Sequence, residues 1–462
     1  MRLALGTLAA LTVLRLILAA TVPLTPDETY YFLWSQHLQA GYYDAPSMVA
    51  VWMRIGTLLL GNDPLGIRLL GPVSAALGTL LLMDAGERMF PHRQAGLMAA
   101  AMLNVTLMIG AGSIIMTPDT PLVFFWTAGI AAFARLLEHE NPRWWLAVGV
   151  AAGLALYSKY SAALFIAAAF IWMISDARGH ARLLTPWPWA ALLIALAIFA
   201  PNLWWNGAHG WVSYLKQGGR VAHFQPARAL QFLGEFIGGQ IALFTPILFG
   251  LAALGTWRLG RSPSIAAHLL VWLTVVPGVM FLEHVISGRV QPNWAAIMYP
   301  SACLAAAALP MADLRRWLTP ALGLGFALTA LVYAQALAAP FPLRASADPT
   351  ALQMRGFGEL TAQAAAQHPA FLTSDDYATA AILAYYAPKT IPVAGFSRRW
   401  HFFNFPRAGL KNRIGILVTR RDGTPCGEEI ATVTRTRGKQ AIQTYRLCRF
   451  TAPAAGILLP RP

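Results

Sequence analysis

Residues 25–47 read TPDETYYFLWSQHLQAGYYDAPS, and they follow an apolar run, Ala4–Leu24. The stretch is too long and too aromatic for a simple connector. Thr25-Pro26-Asp27-Glu28 has the grammar of a helix start: a hydroxyl at the cap, proline in the first turn, and a glutamate three residues on. Acidic residues are favoured there by the helix dipole. Residues 28–40 have helical spacing, and Tyr and Trp favour the membrane–water boundary, so an amphipathic helix lying at the interface is predicted.

Outward from this loop the chain is mostly apolar. Its 462 residues are 57% hydrophobic and 12% charged, with a mean hydropathy of +0.51. A soluble domain carries about twice that charge. Such a composition excludes a disordered chain, a basic-arm nucleic-acid binder and a plain cytosolic enzyme. Crossing a bilayer takes about 20 apolar residues. Runs of that kind start near 4, 64, 95, 119, 144, 161, 187, 230, 264, 294 and 317, so about eleven transmembrane helices are expected. Arg15 interrupts the first run and no Ala-x-Ala site follows, which reads as a retained helix and not a cleaved signal.

Arginines set the orientation. Arg88/Arg93, Arg135/Arg143, Arg178/Arg182, Arg258/Arg261 and Arg315/Arg316 fall in alternate loops, on one side together with Arg2. Basic residues in short loops mark the cytoplasmic side. The far side carries the loop 25–47 and a second long loop, 204–228, reading WWNGAHGWVSYLKQGGRVAHFQPAR. The basic residues Lys216, Arg220 and Arg228 in that loop are the exception to the rule. The N-terminus is expected in the cytoplasm and the C-terminal tail outside it.

Residues 1–339 carry a net charge of +6 and residues 340–462 one of +9. From 340 the pattern changes. FLTSDDY (371–377), IPVAG (391–395), RIGILVTRR (413–421), EEIATVTRT (428–436) and QAIQTYRLCRF (440–450) read as strands, and Ala378–Tyr386 as a helix. The tail is thus expected to be a small extracytoplasmic α/β domain. Cys426 and Cys448 both fall in it, and an oxidising compartment makes a disulfide between them plausible without requiring one. Neither a Walker-type loop nor a GxGxxG segment occurs.

Five ionisable residues fall at one face of the predicted bundle: Asp27, Glu28, Asp44, Asp119 and Lys159. Asp119 follows Thr117-Pro118, repeating the grammar of the first loop. Capping explains each acid singly. Several ionisable groups at one bilayer face exceed what caps require, and such groups are functional candidates. Lys159, Lys216 and Arg220 can neutralise a phosphate, or snorkel, or pair with an acid. His209, with Asp44 or Asp119, could hold a divalent ion, although a lone loop histidine more commonly forms a hydrogen bond. The Trp pairs at 144–145 and 204–205 read as interface anchors or as sugar-stacking surfaces. Arg398-Arg399 and Arg420-Arg421 read as an anion-binding or simply solvated surface.

TPDETYYFLWSQHLQAGYYDAPSMVAVW, TPDTPLVFFW, LYSKYSA and APNLWWNGAHGWVSYL together resemble the bacterial relatives of the protein O-mannosyltransferases. These are glycosyltransferases of the GT-C fold, of the dolichyl-phosphate-mannose type, which also include the lipid A aminoarabinose transferase. The resemblance implies a polytopic helical body at 1–339 with the soluble domain at 340–462. It further implies a polyprenyl-phosphate sugar as donor and transfer with inversion on the periplasmic side of the inner membrane. The acceptor would be lipid A or lipopolysaccharide, another envelope glycan or lipid, or a protein, and nucleic acid would have no part. Asp27 would be the general base and Glu28 would orient the acceptor or support the first helix. Asp44, Asp119, Lys159, His209, Lys216 and Arg220 would contact substrate. No cofactor is implied beyond a possible divalent ion at Asp44 and His209. Related sequences often follow the Asp44-like acid with a histidine and two prolines, whereas this chain has Ala45-Pro46-Ser47. A transporter or flippase is the competing reading, but no repeated half is visible and the acids sit at loop level, not mid-span.

Overall fold

The computed structural model describes residues 2–91, 94–221, 226–420 and 426–462. Among them, six helices are long and apolar enough to cross a membrane: Arg2–Thr21, Pro64–Met89, Asp119–His139, Pro186–Ala208, Ile265–Ser287 and Met311–Ala338. Three further pairs are broken: Ala95–Val105 with Leu107–Ile114 bends by 71°, Tyr160–Ser175 with Ala177–Leu183 by 114°, and Ala229–Phe244 with Pro246–Leu259 by 100°. Counting each pair as one span gives nine. The protein is a multi-pass membrane protein.

The two remaining runs of the expected eleven form short helices. Trp144–Leu156 has 13 residues and Tyr299–Ala307 has nine. At about 1.5 Å per residue neither reaches across about 30 Å of hydrocarbon. Residues 299–307 are all buried, so the apolar character of that run reflects burial inside protein, whereas Trp144–Leu156 also exposes Leu146 and Val150. Thr245 holds φ at +71°, and Pro246, lacking an N–H, starts the next helix there. Lys159 is extended, with φ −160° and ψ 142°, between Trp144–Leu156 and the turn leading to Ala163–Ser175.

By its internal contacts the chain divides into two units. One comprises residues up to Leu16, Asp44–Val49 and Leu70–Val332, and the other Ile17–Tyr43, Ala50–Leu69 and Tyr333–Pro462. In the first unit, small residues let helices close on one another. A Cβ on Gly86 would stand 2.4 Å from the Cα of Gly96, and one on Gly149 would stand 2.4 Å from the carbonyl oxygen of Ala191. Without a hydrophobic drive inside lipid, such close packing is what associates helices. Arg15 belongs to this unit and donates to the Asn104 side chain at 2.9 Å, so the charge that interrupts the first apolar run is buried and bonded.

In the second unit, strand Leu372–Thr373 runs parallel to Ile414–Thr419, which is followed by the antiparallel neighbours Gln440–Thr451 and Glu428–Arg437. Ala394–Gly395 pairs with Ile457–Leu458. Phe357–Ala365 and Tyr377–Tyr386 are helices, and a disulfide joins Cys426 to Cys448. Cys303 is free and buried.

The expected interfacial helix differs from what forms. The helix spans Pro26–Gln36, and Glu28, Thr29, Tyr30, Phe32, Leu33, Trp34 and Ser35 are buried. Its aromatic rings meet protein, not headgroups: Tyr30 lies 4.6 Å from Tyr377, Phe32 5.6 Å from Tyr385, and Trp34 stacks on Tyr42 at 4.2 Å. Aromatic richness marks either a boundary with lipid or a dense packing surface, and here it is packing. The Trp pairs divide similarly. Trp145 packs on Phe133 and Trp205 is buried, while Trp204 is 73% exposed.

Candidate active site

The capping box forms. Thr25 Oγ1 accepts from the Glu28 N–H at 3.3 Å, and Glu28 Oε2 accepts from the Thr25 N–H at 2.9 Å. The Glu28 carboxylate is fully committed. Arg68 donates to it twice, Nε to Oε1 at 2.6 Å and Nη2 to Oε2 at 2.7 Å, and both side chains are wholly buried. The same guanidinium donates to the carbonyls of Ala19, Val22 and Pro23. Such a forked, charge-assisted pair fixes the end of the first apolar run onto the start of Pro26–Gln36.

With Glu28 turned inward, Asp27 points the other way and is exposed. The Tyr377 hydroxyl donates to its Oδ1 at 3.3 Å. The carboxylate stays accessible, but the groups packed near it strip away part of its water. That desolvation raises its pKa above the usual carboxylate value. The Tyr377 bond works against this, Glu28 and Asp376 add to it, and Arg399 opposes it. Tyr377 is itself pushed up by burial and by the neighbouring Asp27.

Arg399 completes this group. Its guanidinium lies 4.0 Å from the centre of the Tyr377 ring, 5.0 Å from Tyr43 and 5.6 Å from Tyr30, and it donates to the Tyr30 hydroxyl at 3.2 Å. These aromatic faces hold the guanidinium in position beside Asp27, whose carboxylate feels its charge. Neither Tyr377 nor Arg68 is conspicuous in the sequence. Arg398-Arg399 reads in the sequence as an anion-binding or solvated surface; Arg398 is exposed, and the neighbouring Trp400, His401 and Phe402 hint that Arg399 is partly enclosed.

The other sequence candidates lie in the first unit. Asp119 is 3% exposed; Lys159 Nζ donates to its Oδ1 at 2.6 Å and Asn293 Nδ2 to its Oδ2 at 2.7 Å. Lys159 also stands over the Trp294 ring at 5.3 Å. No side-chain cap forms at Thr117-Pro118. Asp44 pairs with Lys216, and Gln217 donates to the Asp44 carbonyl at 2.7 Å. His209 is occupied by the Trp205 carbonyl, 2.7 Å from Nδ1, and stacks on the Trp205 ring at 4.2 Å. The Arg220 side chain lies outside the described residues.

A divalent ion needs several hard ligands gathered together. Among the described residues no three His, Cys, Asp or Glu side chains gather to hold one. Asp44 and His209 each already have a different partner, so this donor set does not fit a metal and no step is routed through one.

Residues 44–205 match the dolichyl-phosphate-mannose-protein mannosyltransferase family. The chain is 29% identical over 280 residues to the lipid A galacturonosyltransferase RgtD of Rhizobium johnstonii, across 59% of this chain and 58% of that protein. It is 26% identical over 314 residues to the undecaprenyl phosphate-alpha-4-amino-4-deoxy-L-arabinose arabinosyl transferase 1 of Sodalis glossinidius, across 61% of this chain and 54% of that protein. The chain thus spans a little over half the length of these relatives. Among solved structures, ArnT of Cupriavidus metallidurans bound to undecaprenyl phosphate shares the fold with a TM-score of 0.67 at 15% identity, over 99% of both chains.

Proposed function

Because the chain has the GT-C fold and its sequence relatives are glycosyltransferases, we propose that it moves a sugar from a polyprenyl-phosphate donor onto a hydroxyl or phosphate of an envelope acceptor. Lipid A or lipopolysaccharide is the acceptor best supported by the relatives' names, and a uronic acid or aminopentose the best supported class of sugar. The arginine-bearing loops support an inner-membrane protein with a cytoplasmic N-terminus and the 340–462 region in the periplasm. No nucleotide sugar is available there, which is the chemical reason for a lipid-borne donor.

The carrying observation is the division of labour between Asp27 and Glu28. Glu28 is consumed by Arg68, so its role is positioning. Asp27 is exposed, held by Tyr377, and made more basic by its surroundings. A general base works best with a pKa drawn toward the operating pH. In the proposed step Asp27 takes the acceptor proton, the acceptor oxygen bonds the anomeric carbon from the face opposite the phosphate, and the carbon–phosphate-oxygen bond breaks. Polyprenyl phosphate leaves as an anion and the anomeric configuration inverts. Departing phosphate needs fixed positive charge. Arg399 is the cation we assign to charged substrate groups beside Asp27. Lys159 and Lys216 are assigned to phosphate or sugar hydroxyls in exchange for their carboxylates, with Asp44, Asp119 and Asn293 as hydroxyl acceptors or donors. His209 serves as a hydrogen-bonding residue.

The test compares envelope glycolipids by mass spectrometry in a deletion strain, the same strain carrying the wild-type gene, and one carrying Asp27→Asn at matched protein level. A sugar-sized mass lost on deletion, restored by wild type and not by the variant is expected. Full restoration by Asp27→Asn removes Asp27 from the chemistry. No change in any glycan on deletion removes the transferase reading and favours transport.

A further inference from the structure

Gln240, on helix Ala229–Phe244, is 3% exposed and bonded at both ends of its amide. Its Nε2 donates to the Pro292 carbonyl at 2.8 Å, and its Oε1 accepts from the Tyr299 hydroxyl at 2.9 Å. A carbonyl can only accept, so the first bond fixes which way the amide points and the second locks it there. The approach is close because residue 239 is glycine: a Cβ on it would stand 2.4 Å from Pro292 Cγ. Proline has no N–H, so its carbonyl is the group by which a neighbouring helix can hold it.

Pro292 opens the 3-10 turn Pro292–Met298, and Tyr299 begins the helix that follows. Gln240 therefore grips both ends of that turn. The turn in turn carries the two residues that reach the Asp119–Lys159 pair. Asn293 donates to Asp119 Oδ2 at 2.7 Å, and the centre of the Trp294 ring lies 5.3 Å from Lys159 Nζ. All of these residues belong to the first unit. A buried amide between membrane helices commonly serves only to associate them. Here its bond ends on the residue immediately before Asn293. We propose that Gln240 is a positioning residue for the sugar donor: by gripping this turn it sets where Asn293 meets Asp119 and where Trp294 lies beside Lys159. The role of those contacts rests on the transferase reading, whereas the grip on the turn does not. Groups that hold the donor alike in its ground and transition states act on KM and not on kcat.

The experiment uses full-length protein in detergent, with undecaprenyl phosphate-linked galacturonic acid as donor probe and lipid A as acceptor probe. Gln240→Leu keeps the bulk and loses both bonds. It should raise the donor KM about tenfold, leaving kcat and the acceptor KM within about twofold of wild type. Tyr299→Phe, which spares the Pro292 bond, should raise the donor KM about threefold. In an Asn293→Ala background, Gln240→Leu should add less than about twofold, because the two residues act in one chain of contacts. Thr274→Val removes a different bond between neighbouring helices, Thr274 Oγ1 to Ser301 Oγ at 2.9 Å, and should lower thermal stability without moving the donor KM. A donor KM unchanged in Gln240→Leu and Tyr299→Phe, raised equally by Thr274→Val, or raised in full on top of Asn293→Ala would overturn the proposal. If wild type transfers nothing from this donor, the transferase reading fails for that sugar and amide hydrogen exchange decides the grip. Exchange over 293–298 should then rise in Gln240→Leu and not in Thr274→Val; an unchanged profile in Gln240→Leu overturns it.

Discussion

Thr25-Pro26-Asp27 and Thr117-Pro118-Asp119 are the same three residues, and the chain makes different things of them. At the first, Thr25 caps the helix and Glu28 closes the box, so the acid between them is left exposed. At the second, the helix begins at Asp119 itself and no side chain caps it. Thr120 accepts from the Thr117 N–H at 3.2 Å, and Asp119 is buried between Lys159 and Asn293. What differs locally is the fourth residue, glutamate in one case and threonine in the other. What decides the outcome lies 40 residues away in each case, Arg68 for the first motif and Lys159 for the second. A helix-start motif sets where a helix begins; the fate of its acids is set by which distant cation reaches them.

The comparison can be broken most directly at Asp27. Asp27→Asn should lower sugar transfer in isolated membranes about a hundred- to ten-thousandfold, the range for losing a general base, while protein level and thermal stability stay near wild type. Its neighbour should behave oppositely. Glu28→Gln leaves Arg68 buried with a neutral partner and should cost about 3–5 kcal/mol of stability, seen as poor folded yield and early thermal inactivation in detergent. If Glu28→Gln folds normally and only transfer falls, the assigned roles of the two acids are reversed. The caps provide a finer contrast. Thr25→Ala should destabilise by about 1 kcal/mol, whereas Thr117→Ala, which removes no cap, should stay within about 0.5 kcal/mol; equal effects would mean the two turns are alike after all. The smallest effect is expected at Tyr377→Phe, with transfer at neutral pH falling about threefold, the equivalent of one long hydrogen bond at the low end of the usual range. Because the Tyr377 bond holds the Asp27 pKa down, its removal should move the acid limb of the pH–rate profile to higher pH. A limb that stays in place, or moves to lower pH, would detach Tyr377 from the reacting carboxylate.

Much of this was legible from local pattern. The capping box at 25–28 is written in four consecutive residues. Strands Glu428–Arg437 and Gln440–Thr451 follow the alternation at 428–436 and 440–450, with Gly438 at positive φ in the turn. Apolar length located the membrane helices, because each such run has to bury or immerse its surface whatever its neighbours are. The breaks were not legible, since a bend at Thr245-Pro246 and an extended Lys159 depend on what packs around them. Nor was the group around Asp27. Tyr377 and Arg399 are about 350 and 370 residues further along the chain, and no periodicity reports contacts at that separation. The aromatic residues of Pro26–Gln36 gave the wrong surroundings for a related reason: composition specifies an apolar neighbour without saying whether it is lipid or protein.

The link between Cys426 and Cys448 has a practical consequence for following the protein through its biogenesis. The chain has three cysteines, and once that bond closes only Cys303 keeps its thiol. With the tail in the periplasm, as proposed above, denatured protein should bind three equivalents of an alkylating tag before the tail reaches that compartment and one afterwards. On that proposed placement, the change in mass reports translocation of the tail without any reporter fused to it.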